Sequence, residues 1–405
     1  MAIKGVFAGV ALATAGLVNA GGAVAAVSDG VVRVLIISDM SGAYSDSGGQ
    51  GSVTAAEMAA TALGGEVAGS PVEVITADSK LDPEHARRTL KRIHADTPVD
   101  LVTGHLASSV GLKLQAFAEE HDIAIVHSGP SSTAFTNESC SPVAVQWGFD
   151  TNATATATVR ASMQEGARRW YFLTADVPFG HDLQASAAAT VEDMGGTVVG
   201  QTLLQQPVAD ALPALGAALE AEPEVIGLAM GGSDLHTAIR GAYEAGVQQA
   251  GVTPVALEFY INDIRRLGLY VTAGLRYATS FYWDRNEATR TWSQHFQRLQ
   301  GAMPTMPQAG VYSATRHYLE TVDAIGEDSA ATVVPAMGER PVDDGVFAND
   351  AHIREDGRMV HDMMLVEVKS ALDSRGAWNY LDVLTTIPGE QAFRPMTEGR
   401  CPGVH

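Results

Sequence analysis

Hydroxyl side chains follow two predicted buried strands in the first third of the chain, and their types suit the binding of a small anion. Ser108 and Ser109 open a predicted helix after the strand at 99–103, and a Ser-Ser-Thr triplet at 131–133 follows the strand at 123–127. In a parallel sheet, both groups lie beyond the carboxyl ends of strands, where α/β folds bind ligands. N–H groups at a helix start, together with hydroxyls, are donors suited to a carboxylate. The pattern indicates recognition rather than catalysis.

Motifs that would indicate catalysis are missing from the sequence. The segment nearest to a G-x-S-x-G nucleophile elbow, GGSDL at 231–235, lacks the final glycine, and neither HExxH nor a phosphate-binding P-loop occurs. His105 stands alone in a Gly-His turn, where a histidine usually packs or forms hydrogen bonds. We therefore predict no catalytic residue, no metal ligand and no cofactor. An exported hydrolase is the alternative, and turnover of ester, amide or phosphate substrates would indicate it.

Alternating strand and helix patterns predict how the chain positions these residues. The β-branched run at 32–37 is typical of a strand buried on both faces, and Asp82-Pro83 supplies an N-cap and a first helical residue for a helix to residue 96. The other predicted helices are 52–63, 151–166, 181–194, 211–221, 235–245, 288–299 and 310–325, and the other predicted strands are 72–76, 170–174, 197–204, 225–230, 255–258, 278–283 and 358–369. Right-handed crossovers make such a series a parallel, doubly wound α/β fold, here in two similar sets that form two lobes.

The N-terminus and the charge restrict where this protein works. Lys4 precedes an apolar run at 5–18, and Ala23-Val24-Ala25 has the small-x-small pattern of a signal peptidase site. We predict a cleaved signal peptide at 1–26 and a periplasmic protein, with a buried N-terminal helix as the alternative. The formal net charge of −21 disfavours binding to nucleic acid or to an anionic membrane.

The two cysteines of the chain, Cys140 and Cys401, form an even pair in a protein expected to enter an oxidising compartment. A disulfide between them would fix the C-terminal tail to the loop that follows the hydroxyl triplet. Two unpaired thiols are the alternative. In either case their distant spacing does not fit a metal site.

Several segments, taken in order, resemble the leucine/isoleucine/valine-binding family of periplasmic receptors for ABC importers. The resemblance runs from about residue 32 to about residue 369, and its motifs are VLIISDMSG at 34–42, the segment 48–58, the helix after Asp82-Pro83, GHLASS at 104–109 and SGPSSTAFT at 128–136. It implies two α/β lobes joined by three hinge crossovers, with a ligand enclosed in the cleft between them. The implied lobes are 29–149 with 284–357, and 150–283 with 358–390, followed by a tail at 391–405.

The resemblance also implies roles for individual residues. Ser108 matches the serine that binds the ligand carboxylate, and Ser131 and Thr133 match the loop that contacts both ends of the ligand. Glu258, in PVALEFYIN at 254–262, matches the acid that pairs with an α-ammonium group. Phe179 lies in a loop of the second lobe. Tyr260, Tyr282 and Trp283 form either an aromatic wall or part of the core.

Departures from the family pattern leave the ligand class open. Tyrosines of the family's amino-acid pocket correspond here to Ser47 and Ser233, and the last third resembles a subgroup with relatives that bind aromatic acids. The first prediction is therefore a small carboxylate of the branched-chain amino-acid class, and an aromatic acid is the alternative. The expected partner is an ABC permease, the expected form is a monomer, and a periplasmic sensor subunit is a further alternative.

Overall fold

A computed structural model describes Met1 and residues 27–404 of the 405-residue chain. The predicted signal peptide therefore lies, apart from Met1, outside the described residues. No helix within the described part of the chain is long and apolar enough to span a membrane.

The first sheet has six strands and carries the hydroxyl clusters. Its order is β2-β3-β1-β4-β5-β6, with every pair parallel except the short β2, which is antiparallel to β3. The strands are β1 (Val32–Ser38), β2 (Glu66–Val67), β3 (Ser70–Asp78), β4 (Leu101–Thr103), β5 (Ala124–His127) and β6 (Ala144–Gln146), and the helices between them are α1 (Gly49–Ala62), α2 (Pro83–Asp96) and α3 (Ser108–Glu120).

The expected helix-start signal of α2 is present. The Asp82 carboxylate accepts hydrogen bonds from the backbone N–H groups of Glu84 and His85, both at 2.9 Å, and Pro83 occupies the first helical position. Such a cap satisfies N–H groups that have no partner within the helix.

The second lobe is built on a four-stranded parallel sheet with the order β10-β9-β7-β8. Its elements are α4 (Thr151–Gln164), β7 (Arg169–Ala175), α5 (Pro178–Asp193), β8 (Thr197–Leu204), α6 (Leu212–Glu220), β9 (Val225–Ala229), α7 (Gly232–Glu244) and β10 (Thr253–Ala256). The two sets of alternating elements confirm the predicted fold class of two α/β lobes with parallel-sheet cores.

The last third of the chain departs most from the prediction. Its elements are α8 (Ile261–Leu267), α9 (Leu269–Thr272), β11 (Arg276–Thr279), α10 (Glu287–Gln300), α11 (Met306–Ile325), α12 (Ala330–Gly338), β12 (His352–Ile353), β13 (Met359–Val360), β14 (Met363–Val368), β15 (Leu381–Ile387) and α13 (Gly389–Ala392). The single strand predicted at 358–369 is wrong, because the chain is interrupted between β13 and β14. Strands β11, β14 and β15 form an antiparallel sheet that extends the second lobe.

Successive segments alternate between the two buried cores, so the chain passes between the lobes after β6, after β11 and between β13 and β14. After β15 it returns once more to the first lobe, where Phe393 is buried in that lobe's core. The return is fixed by a disulfide between Cys140 and Cys401, and the Arg400 N–H donates to Asn137 Oδ1 at 2.5 Å. The tail thus lies against the loop that carries the hydroxyl triplet.

Candidate ligand-binding site

A cavity of ≈ 360 Å³ lies between the two lobes. Its lining residues are Tyr44, Leu81, Leu106, Ala107, Ser108, Ser109, Leu112, Ser131, Ser132, Val177, Pro178, Phe179, Gln206, Glu258 and Tyr260. All of these residues follow the carboxyl end of a strand of one of the two parallel sheets, as expected for a ligand site in this type of fold. A larger depression of ≈ 580 Å³ is lined by second-lobe residues alone.

The amino end of α3 forms the first-lobe wall of the cavity. The helix begins at Ser108, as predicted, with Ala107 at the N-cap and no side-chain cap, so neither Ser108 nor Ser109 caps it. The first N–H that bonds within the helix is that of Gly111, which donates to the Ala107 carbonyl at 3.0 Å. The N–H groups of Ser108 and Ser109 are therefore available to an anion, as is usual at a helix start.

The hydroxyl of Ser108 has a defined role as an acceptor. The backbone N–H of Ser132 donates to Ser108 Oγ at 3.1 Å. Because Oγ accepts this hydrogen bond, the hydrogen of the hydroxyl remains to be donated elsewhere, and Ser108 lines the cavity. The Ser108 hydroxyl and the helix-start N–H groups together make a donor-rich corner.

Glu258 supplies the charged group of the second-lobe wall. It lies two residues beyond the end of β10 rather than within the strand, and it is only 5 % exposed. Its two oxygens accept hydrogen bonds from Ser131 Oγ at 3.0 Å and from the Tyr260 hydroxyl at 2.5 Å. Among the described residues that line the cavity, none is lysine or arginine.

Burial raises the pKa of Glu258 to about 7, from an ordinary value of 4.5. The hydrogen bonds from Tyr260 and Ser131 act in the opposite direction, and the negative charge of Asp263 adds to the increase. A buried carboxylate without a cationic partner is costly, so a cation brought by a ligand would lower this pKa again.

Aromatic and aliphatic side chains form the rest of the wall. Tyr44 belongs to the loop between β1 and α1, and Asp39 holds this loop by accepting from the N–H groups of Gly42 at 2.7 Å and Tyr44 at 2.8 Å. A Cβ at Gly232, which has a φ of +60°, would come within 3.3 Å of Tyr44 Cε1. A glycine at this position therefore allows Tyr44 to approach the start of α7 in the other lobe.

A model of the periplasmic binding protein family matches residues 31–376. The chain belongs to the periplasmic binding protein family. The comparison with curated protein sequences returns no match. The family match and the relatives described next confirm the resemblance to the leucine/isoleucine/valine-binding receptors of ABC importers.

Solved structures of similar proteins cover most of both chains. A periplasmic binding protein from Burkholderia mallei is 36% identical, with a TM-score of 0.88 over 92% of this chain and 99% of that one. A branched chain amino acid ABC transporter periplasmic ligand-binding protein from Burkholderia xenovorans is 29% identical, with a TM-score of 0.85 over 92% and 99%. A solute binding protein from Rhodopseudomonas palustris, in complex with 3,4-dihydroxy benzoic acid, is 16% identical with a TM-score of 0.80 over 89% and 98%, a likeness of fold alone. The protein is thus a substrate-binding protein of the ABC-transporter type.

In this periplasmic binding protein, the six residues predicted to bind the ligand divide into two groups. Ser108, Ser131 and Glu258 line the cavity. Thr133, Ser47 and Ser233 do not, and their contact with the ligand remains a prediction.

Each residue of the second group has another local setting. Thr133 opens a short 3₁₀ turn at Thr133–Thr136 and is half-buried. Ser47 is buried and its Oγ accepts from Asn262 Nδ2 of the other lobe at 3.0 Å, while Ser233 is exposed in the first turn of α7.

Sequence reasoning missed much of the apolar wall. The sequence comparison with the family found Ser47 in place of a pocket tyrosine. Tyr44, three residues earlier in the same loop, supplies an aromatic side chain to this wall instead. Phe179 and Tyr260 line the cavity, whereas Tyr282 packs in the second-lobe core and Trp283 donates from Nε1 to the Trp378 carbonyl at 2.8 Å. Of the leucines in the wall, Leu81 follows β3 whereas Leu106 and Leu112 follow β4, and no sequence signal joins the two segments.

His105 belongs to a buried chain of hydrogen bonds. Its Nε2 lies 2.8 Å from His127 Nδ1, and His127 Nε2 lies 2.8 Å from Gln115 Oε1. Burial lowers the pKa of His105 to about 3 and that of His127 well below its ordinary value, so both rings are neutral. No cluster of metal-ligating side chains occurs within residues 27–404.

Proposed function

We propose that this periplasmic binding protein is the receptor of an ABC importer for an α-amino acid with an apolar side chain, the branched-chain amino-acid class. One observation carries the proposal. The buried Glu258 lines the same cavity as the unpaired N–H groups at the start of α3, and no basic side chain accompanies it among the lining residues. One wall therefore favours a negative group and the other favours a positive group.

The proposed binding mode uses each wall once. The ligand carboxylate accepts from the N–H groups of Ser108 and Ser109 and from the Ser108 hydroxyl, and each charge-assisted hydrogen bond is worth about 1.5–3 kcal/mol. The α-ammonium group lies against Glu258, where it replaces the missing cationic partner. The apolar side chain then contacts the wall that includes Phe179 and Leu112.

An aromatic acid is the second candidate, and the hydrogen bonds of Glu258 favour it. Both oxygens of Glu258 already accept a hydroxyl hydrogen, from Ser131 and Tyr260, so the group does not strictly require an ammonium ligand. A protonated Glu258 could lie close to an uncharged part of a ligand. Tyr44, Phe179 and Tyr260 could pack against an aromatic ring.

The receptor role extends to location and partners. We place the protein in the periplasm after removal of residues 1–26, as a monomer that delivers its ligand to an ABC permease and carries out no reaction on it. Closure of the two lobes over the ligand would let the permease distinguish the loaded receptor from the empty one.

A thermal-shift panel of amino acids, benzoic and phenylpropanoid acids and short amides tests the ligand class. A true ligand at 100 times its dissociation constant stabilises the folded protein by roughly 2.7 kcal/mol, enough to raise the melting temperature visibly. We expect leucine, isoleucine or valine to raise it, and the Glu258→Gln variant to lose that shift. A shift with an aromatic acid alone, retained in Glu258→Gln, would contradict the amino-acid proposal.

A further inference from the structure

Two carboxylates of the second lobe accept hydrogen bonds from consecutive serines of the first lobe. Ser131 Oγ donates to Glu258 inside the cavity at 3.0 Å, and Ser132 Oγ donates to Asp182 Oδ2 at 2.9 Å. Asp182 does not line the cavity, and neither its sequence context nor the family resemblance suggested a role for it. The second hydrogen bond therefore needs an explanation other than ligand contact.

Asp182 is placed to act between the lobes. It is the fifth residue of α5, half-buried, on a helix that packs against the second-lobe sheet. Ser132 belongs to the loop after β5 in the first sheet. This hydrogen bond can therefore exist only when the lobes are closed, and opening of the cleft must break it.

Ser132 connects this contact to the donor-rich corner of the cavity. Its backbone N–H donates to Ser108 Oγ at 3.1 Å, and its own Oγ also accepts from the Ala134 N–H at 3.3 Å. The hydrogen bond that the Ser132 hydroxyl donates to Asp182 thus restrains the residue whose backbone N–H orients the Ser108 hydroxyl. Closure and the geometry of the carboxylate wall are linked through one residue.

We propose that Asp182 is a positioning residue for ligand retention, which holds the lobes closed by accepting the Ser132 hydroxyl and so keeps Ser108 oriented toward the ligand. This inference rests on the proposed receptor function but not on the identity of the ligand. Loss of the Asp182 carboxylate should favour the open form and speed ligand release. Loss of an exposed carboxylate elsewhere on α5 should change neither.

The test compares Asp182→Ala with Asp182→Asn and with Asp193→Ala, a matched control at the exposed end of the same helix. Small-angle X-ray scattering of the ligand-free proteins measures opening, and stopped-flow fluorescence measures dissociation of L-leucine. We expect Asp182→Ala to have a larger radius of gyration than the wild type and to release leucine about fivefold faster. Asp182→Asn, whose amide oxygen can still accept from Ser132, should be closer to the wild type in both measurements. Asp193→Ala should match the wild type.

The outcomes separate this proposal from that of the ligand. If the ligand-free wild type and Asp182→Ala have the same radius of gyration, the proposed role of Asp182 is wrong. If leucine does not bind the wild type, the amino-acid proposal fails while scattering still decides the role of Asp182. A double-mutant cycle with Ser132→Ala adds a second check, because additive effects on scattering or dissociation would contradict a direct contact.

Discussion

The sign of the proton linkage at Glu258 distinguishes the two ligand classes. Its pKa is about 7 in the ligand-free protein because the carboxyl is buried. An α-ammonium group binds the ionised form, so binding lowers this pKa and releases a proton. Leucine affinity must therefore rise as the pH is raised through 7. An aromatic carboxylate brings no cation and is repelled by the ionised form of Glu258, so its affinity should fall over the same range.

The size of the effect follows from the ionised fraction. With a pKa of about 7, roughly 3% of Glu258 is ionised at pH 5.5 and about 90% at pH 8, so the dissociation constant for leucine should fall about thirtyfold between these values. The stability of the folded protein changes with pH in the direction opposite to the affinity for leucine. The folded protein retains a proton that the unfolded chain loses above the ordinary pKa of 4.5, so this group lowers stability by about 3 kcal/mol as the pH rises to 7 and beyond.

Isothermal titration with L-leucine at pH 5.5, 6.5, 7.5 and 8, in two buffers of different ionisation enthalpy, measures both affinity and released protons. Glu258→Gln is the control and should abolish the pH dependence of binding. In thermal melts, the difference between wild type and Glu258→Gln isolates this group from Asp100, whose pKa burial also raises to about 7. Leucine affinity that is constant from pH 5.5 to pH 8 would refute the ion pair with Glu258.

Further variants test the tail and the carboxylate wall. Replacing Cys140 and Cys401 by serine should lower the free energy of unfolding by about 5 kcal/mol, because the disulfide spans 261 residues and restricts the unfolded chain. Guanidinium denaturation measures this loss, and a loss below about 1 kcal/mol would contradict the expectation. Ser108→Ala should weaken leucine binding about tenfold by removing one donor to the carboxylate. Thr133→Val, which changes a residue outside the cavity lining, should weaken it less; equal losses in titration calorimetry would show that the carboxylate wall includes Thr133.

The parts of the fold that sequence predicted are those set by local patterns. Continuous apolar runs predicted β1 and β7, because a strand buried on both faces has apolar residues throughout. Asp82-Pro83 predicted the start of α2, because a helix cap depends only on residues that are close in sequence. Strand β15 was missed. Five of its seven residues are exposed, so it has no apolar run, and its place is set by antiparallel pairing with β14.

Less of the candidate site could be predicted from the sequence, because it also depends on contacts between residues that are far apart in the chain. The strand-end rule located Ser108 and Ser131, which follow neighbouring strands of one sheet. The contact of Ser132 with Asp182 joins residues 50 apart in different lobes, and that of Ser131 with Glu258 joins residues 127 apart. Spacing within the sequence carries no signal for such contacts, because they depend on how the lobes close.

A crystal structure with the amino acid that binds most tightly in the thermal-shift panel tests the proposed binding mode most directly. We predict the ligand in the cavity between the lobes, with its carboxylate within hydrogen-bond distance of Ser108 Oγ and the Ser109 N–H, and with its ammonium group against Glu258. A ligand whose carboxylate faces Glu258, or one bound outside this cavity, would contradict it.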